Sequence, residues 1–515
     1  MMFIRQKTVN IKLFISSAMK PLSLLSLAIF LPNHAYTQSP NKHSTMVVKD
    51  ALSGILSPKS NPNFNQANFS ELSDFSVYRQ QSEALPIISQ GSYSQISPRV
   101  IVSQIQKPQS FNHSILIALQ RSPTVTQSIA NLSSQNATID VARASYYPQI
   151  SGGFSSADLT DQKGYGQVLS LNATQMLYDF GKVKSSVSIE QAKLIASQAN
   201  VLVDIDKIAY DTAIAIVNIK RYQSITAIAK QQIEGMSHIA EITNLRAKAG
   251  ISTQADPVQA LSNVESAQAN LIVQETQLSQ YQQKLRTLVG VDARTLDFQI
   301  PETIVADSHL YEEPKFNRVP KMMVAQTEVA IARLQKEQTK LSNYPTLSVK
   351  GSLSQAVNGK HPSNNEDDGT DSSIMLEATS TFYQGGAVSS RNKAASFAEE
   401  AAKAKVSSVY LDVLDELRVI REEIDNKQKL FGILTARKAT TIRTRELYQE
   451  QYKLGTRSAV DLLNAEQAIH SAAQEIENAR YDIYAALIKY LSITGQSFDA
   501  YQLKNTSIQG FMVKP

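Results

Sequence analysis

The sequence predicts an α+β fold in which one unit, long helices joined to short strands, occurs twice. Three observations predict it. The stretches 182–249 and 387–454 each run for 68 residues with one glycine and no proline, the composition of an unbroken helix. Before each lie two short segments with period-two alternation of apolar and polar residues, the pattern of strands. The landmarks also recur in order. Tyr178-Asp179-Phe180-Gly181 returns as Tyr383-Gln384-Gly385-Gly386, Gly250 as Gly455, Asp256 as Asp461 and Gly290 as Gly495, all 205 positions later. Upstream, Pro123 matches Pro320 and Tyr147-Pro148 matches Tyr344-Pro345 at 197, so eight extra residues fall between Pro345 and Thr379. A duplication explains this order and spacing.

Composition narrows the class. The chain has 515 residues and a formal net charge of +5. Four of the positive charges lie in the first 35 residues, which hold no acid, leaving about +1 elsewhere. That balance excludes the basic face of a nucleic-acid binder. Cysteine is absent, which removes disulfides, thiolate metal sites and thiol nucleophiles. No phosphate loop, dinucleotide fingerprint or HExxH occurs. The histidines, such as His113, His238 and His470, lack ligand spacing, and Glu399-Glu400 and Glu422-Glu423 read as solvated helix surface. The sequence therefore predicts no enzyme, no metal site and no cofactor.

The elements follow in order. Residues 1–35 read as an export signal: a basic start, then the apolar run 21–31, too short to span a bilayer. Residues 36–110 are rich in Ser, Gln, Asn and Pro and read as a low-complexity, mostly disordered arm. The first repeat, 111–290, holds a helix ending at Tyr147-Pro148, two strands, a long helix of ~100 Å at 1.5 Å per residue, a glycine turn, and a return helix. Residues 291–316 form a linker, 317–496 the second repeat, and 497–515 a C-terminal tail. In the second long helix, Val406, Tyr410, Val413, Leu417, Ile420, Ile424, Phe431 and Leu434 form a heptad seam, which requires helices alongside it.

The strands indicate location. Leu169, Leu171 and Ala173 share one face against Ser170, Asn172 and Thr174. Ile374, Leu376 and Ala378 oppose Met375, Glu377 and Thr379. The incoming strands alternate too, as Leu347, Val349 and Leu353 against Ser348, Lys350 and Ser352. Strands of ~10 residues with this pattern suit a membrane barrel facing lipid outside and water inside. Tyr147, Tyr178, Tyr344, Phe382 and Tyr383 lie at the strand ends nearest the helices, as an interfacial aromatic belt does. The strand-connecting loops, 157–166 and 355–372, are polar. Four strands cannot close a barrel and open edges are excluded from lipid, so several chains must combine. Two give eight strands and three give twelve, wide enough for a channel.

The junctions YDFGKVKSS and YQGGAVSSRNKAA, the turns AKAGISTQAD and YKLGTRSAVDLLNAEQ, and the entries ARASYYPQI and LSNYPTL together resemble the TolC-type outer-membrane channel family over roughly residues 110–496. The resemblance implies a homotrimer: a twelve-stranded barrel in outer-membrane lipid, continued by a coiled-coil helical tunnel across the periplasm. It implies a periplasmic adaptor as partner, docking on the tips Gly250, Ile251, Gly455 and Thr456, and an inner-membrane transporter, ABC-type or proton-driven. It assigns Tyr452, Arg457 and Asp256 to a gate latch, and Asp461 and Asn464 to an inward-facing constriction. Two positions depart from the pattern: Asn464 replaces a carboxylate, and Ala255 a hydroxyl-bearing latch partner.

The expected function is a passive exit duct of a tripartite efflux or type I secretion system, carrying small molecules or unfolded protein. The competing reading, from a different class, is a structural periplasmic coiled-coil protein without a pore.

Overall fold

In the computed structural model, residues 65–68, 110–158, 165–295, 298–301, 304–305, 308–359, 361 and 366–514 are described. The export signal and most of the arm lie outside them. In chain order the elements are β1 (Gln66–Asn68), α1 (Phe111–Arg121), α2 (Pro123–Ala144), β2 (Gln149–Asp158), β3 (Tyr165–Tyr178), α3 (Lys182–Lys248) and α4 (Ala255–Val289). The second repeat supplies α5 (Pro320–Leu341), β4 (Thr346–Asn358), β5 (Thr370–Thr379), α6 (Ala387–Lys453) and α7 (Ala459–Thr494). The C-terminal segment adds α8 (Ser497–Ala500), β6 (Ser507–Ile508) and β7 (Phe511–Lys514).

The duplicated plan is present in full. Both α3 and α6 are unbroken over 67 residues. Pro123 and Pro320 each open a helix at its first position, where proline costs no hydrogen bond. The α3 entry is the better capped. The Asp179 carboxylate accepts the amides of Gly181 at 2.9 Å and Val183 at 2.6 Å. Phe180, held at φ 59°, stacks on Tyr344 at 5.3 Å and meets Tyr178 edge-on at 4.8 Å. In the second repeat Gln384 and Gly385 replace Asp179 and Phe180, and α6 starts without a side-chain cap.

The four long strands form one antiparallel sheet in the order β2-β3-β4-β5. Its register aligns the apolar faces predicted strand by strand. Ile150 pairs with Ala173, Ala173 with Gly351 and Gly351 with Ile374. In the same sense Phe154 opposes Leu169, Leu171 opposes Leu353 and Val349 opposes Leu376. Leu171 is 51% and Ile374 80% exposed on this face. The opposite face is polar and internally bonded: Lys350 pairs with Glu377 at 2.7 Å, and Ser352 with Ser373 at 2.8 Å. At the helix end of the sheet Phe382 is 96% exposed and Tyr383 nearly as open. Among the described residues, the outer strands β2 and β5 have no neighbour on their far edges.

The main core sits midway along the long helices. Ile205 and Ile216 of α3, Leu417, Ile420 and Ile424 of α6, and Leu487, Tyr490 and Leu491 of α7 meet α1, α2 and α5 there. The heptad seam of α6 is buried at Val413, Leu417, Ile420, Ile424 and Leu434, whereas Tyr410 turns outward against Phe316 at 4.6 Å. The tail is a working part of this core. Phe498, Tyr501, Leu503, Ile508, Phe511 and Val513 are all buried. One piece of the arm joins it: β1 runs parallel to β7, and Gln198 donates to the Gln66 carbonyl at 2.7 Å.

A carboxylate sits beside this core. Asp206 accepts from Ser492 at 2.5 Å and from Ser497. Burial pushes its pKa up to about 6, against the lowering effect of both serines and of Lys321. A raised folded-state pKa means the native chain binds the extra proton, so stability falls as pH rises from about 4 to about 6 and is level above. The shift corresponds to at most about 3 kcal/mol. Asp206→Asn is expected to raise the unfolding temperature at pH 7 and flatten its rise between pH 7 and 5. An unchanged pH profile in thermal unfolding would contradict this.

Candidate functional site

The turns that end α3 and α6 are built alike. Gly250 at φ 71° and Gly455 at φ 77° occupy the left-handed region. The Gly250 amide donates to the Ala247 carbonyl at 3.0 Å and that of Ile251 to Arg246 at 2.9 Å. Gly455 donates to Tyr452 at 3.1 Å and Thr456 to Gln451 at 3.0 Å. Both are Schellman closures, which satisfy the last helix carbonyls and favour glycine. Gly250, Ile251, Gly455 and Thr456 are all exposed, so each tip presents turn backbone to solvent, with the apolar side chains of Ile251 and Leu454 beside it.

The return helices begin differently. Ser458 caps α7: its hydroxyl oxygen accepts the Asp461 amide at 3.2 Å, and Asp461 accepts the Ser458 amide at 3.4 Å. This capping box satisfies two amides that the helix leaves open. The bond from the Ser458 hydroxyl, with Arg457 at 3.7 Å, holds the Asp461 carboxyl below the usual range. Asp461 is thus a capping residue with a neighbouring cation, and Asn464, one turn on, is exposed.

The three residues assigned to the latch are not bonded to one another within the chain. Arg457 donates to Gln451 at 2.9 Å and lies 4.5 Å from the centre of the Tyr448 ring. Tyr452 is buried with Ile239 and Ala260 of the first repeat and Ala459, Leu462 and Leu463 of its own. Arg246 stands 4.8 Å over its ring. Its phenol oxygen is buried without a hydrogen-bond partner. Burial raises its pKa; the charge of Arg246 opposes this and that of Asp256 adds to it. Asp256 lies in the first turn of α4. Arg246 and Tyr448 therefore belong to the tip as much as the expected residues do. Their signal in the sequence is only a cation and an aromatic near a turn.

Above the tip a ladder of carboxylates on α7 ties the helices together. Glu475 pairs with Arg437 of α6 at 3.0 Å. Asp482 accepts from both Lys427 of α6 at 2.6 Å and Arg221 of α3 at 2.7 Å. The lowest rung is the most enclosed. Glu466 is 5% exposed and meets His470 at 3.1 Å and Arg445 of α6 at 3.3 Å. Burial works to raise its carboxyl pKa, but His470 and Arg445 more than offset it and hold it below the usual range. A Cβ built on Gly235 of α3 would lie 2.1 Å from a Glu466 carboxylate oxygen. Sequence reasoning missed this group. Its signal was present as two polar residues, 466 and 470, inside a stripe of small apolar ones.

Comparison with known proteins bears on this arrangement. A family model described as outer membrane efflux protein matches residues 115–291 and 316–496, one segment per repeat. The chain is 23% identical over 402 residues to the outer membrane protein TolC of Escherichia coli K12, covering 72% of this chain and 78% of that one. It is 20% identical over 426 residues to the outer membrane efflux protein BepC of Brucella suis, covering 78% and 88%. Among solved structures, the outer membrane protein VceC of Vibrio cholerae superposes with a TM-score of 0.65 at 17% identity, covering 75% of this chain and 96% of that one.

Proposed function

Since the chain belongs to the outer membrane efflux protein family, we propose that it is a passive outer-membrane exit duct, working as a homotrimer. The sheet carries this reading. One face exposes Ile150, Phe154, Leu169, Leu171, Ile374 and Leu376, and both edges are unpaired among the described residues. An apolar sheet face belongs against lipid, and its edges must pair with other copies there. Three copies supply twelve strands, and the polar face then lines a water-filled interior. The helices α3 and α6 extend the tunnel by ~100 Å to the glycine turns in the periplasm. There a periplasmic adaptor docks on Gly250, Ile251, Gly455 and Thr456, and an inner-membrane transporter supplies the energy. Removal of residues 1–35 accompanies export. Small molecules and unfolded protein both suit such a conduit. A coiled-coil rod without a pore accounts for the helices but not for the apolar sheet face.

Purified protein in planar lipid bilayers tests the reading. Discrete conductance steps with a preference for cations are expected. Three copies of Asp461 at the tunnel end would concentrate negative charge, so Asp461→Asn, which keeps a capping side chain, is expected to lower that preference. Absence of conductance from folded, inserted protein would overturn the duct. Unchanged selectivity would remove Asp461 from the constriction.

A further inference from the structure

Each long helix contains one glycine, and the two stand in opposite surroundings. Gly432 of α6 has no atom within 4 Å of the position a Cβ would take. At Gly235 of α3 that position is occupied: the Glu466 carboxylate oxygen is 2.1 Å away and its carboxyl carbon 2.9 Å. Glycine in a helix interior is unfavourable relative to alanine, so Gly235 needs a local reason, and the seat of Glu466 supplies one. Next to it Gln232 of α3 donates to Gln467 of α7 at 2.5 Å. The same carboxylate reaches α6 through Arg445. One buried side chain therefore joins the long helix of the first repeat to both helices of the second, about two turns above the start of α7.

We propose that Gly235 and Glu466 form an interhelical lock that holds α7 against α3 and keeps the tunnel end closed. The lock is separate from the turn residues and rests on the reading of the chain as a gated duct. Its parts fit that task. A carboxylate buried in a glycine notch cannot slide along α3 without losing its seat, and α7 cannot leave α3 without breaking the Gln232–Gln467 bond; Arg445 of α6 and His470 of α7 itself hold the carboxylate in position. Asp461 and Arg457 pair within one helix end and place no such restraint on α3.

Alanine at 235 tests this directly, because it favours helix α3 while filling the seat. Gly235→Ala is expected to raise resting conductance about tenfold and to lower the unfolding temperature, because the added methyl displaces a buried, ion-paired carboxylate. Glu466→Gln, which keeps the shape and loses the charge, is expected to act in the same direction. Gly432→Ala is expected to leave conductance at the wild-type level and raise the unfolding temperature. A merely structural glycine would lower stability without raising resting conductance. Helix separation is read independently from spin labels on cysteines introduced at Gln231 and Asn464, in a chain with no native cysteine. The α3–α7 distance should lengthen with Gly235→Ala and not with Gly432→Ala. An unchanged distance overturns the lock whatever the conductance. A lengthened distance in protein that never conducts supports the lock and overturns the duct.

Discussion

Arginine in place of Leu171 is expected to abolish insertion of the sheet into lipid. Leu171 lies within the apolar face, paired with Gly152 on β2 and Leu353 on β4. Its side chain is half exposed in the single chain, so the substitution disturbs no packed core and acts through the surroundings of the assembled sheet. A cation on the lipid face of a barrel costs about 2–4 kcal/mol near the bilayer midplane, and a trimer carries it three times. The neighbouring position is the control. Asn172 points to the polar face, opposite Ser151 and Ser352. Asn172→Arg is expected to insert normally and to shift ion selectivity, since a lumen-facing charge stays in water. Membrane fractionation with urea extraction distinguishes them. Leu171→Arg protein that resists extraction like the wild type would show that this face does not meet lipid.

Alanine in place of Tyr490 is expected to cost about 3–5 kcal/mol, the range for removing a large aromatic side chain from a core. Tyr490 is fully buried, where α7 meets the centre of the molecule. Its phenol oxygen accepts from Arg421 of α6 at 3.1 Å. Tyr490→Phe isolates that bond and is expected to cost about 1 kcal/mol. The difference between the two variants measures ring packing alone. Denaturant unfolding in detergent reads both, and equal losses would show that the ring contributes little beyond its hydroxyl.

The long-range plan was legible because its signals are long. Freedom from proline over 182–249 marks a helix that the structure ends at Lys248, and the 205-residue offset holds at both glycine turns. Alternation at Leu169, Leu171 and Ala173 identifies a face that the register then aligns across four strands. What remained hidden is short or rests on contacts between distant residues. Gln66–Asn68 forms a strand of three residues, too few for a period to emerge within a polar arm. Residues 497–514 read as a tail because Phe498, Ile508 and Phe511 follow no single period, yet each fills the core. At the tip, family resemblance points to Asp461 and Arg457 but does not reveal that they pair with each other. Glu466 has no counterpart carboxylate 205 residues earlier, where Leu261 stands, so the duplication offers no hint of its seat at Gly235.

The pairing of β1 with β7 bears on the order in which the molecule matures. Residues 66–68 leave the ribosome long before residues 512–514. The small sheet in which Asn65 accepts from Met512 at 2.9 Å therefore closes only after both repeats have emerged, a loop closure of high sequence separation and correspondingly slow. Until then Val513 and Phe511 are missing from the core that Tyr490 and Phe498 occupy. A chain whose core depends on partners so far apart in time stays open while most of it is being made. It becomes committed to its native shape once residues 511–514 emerge.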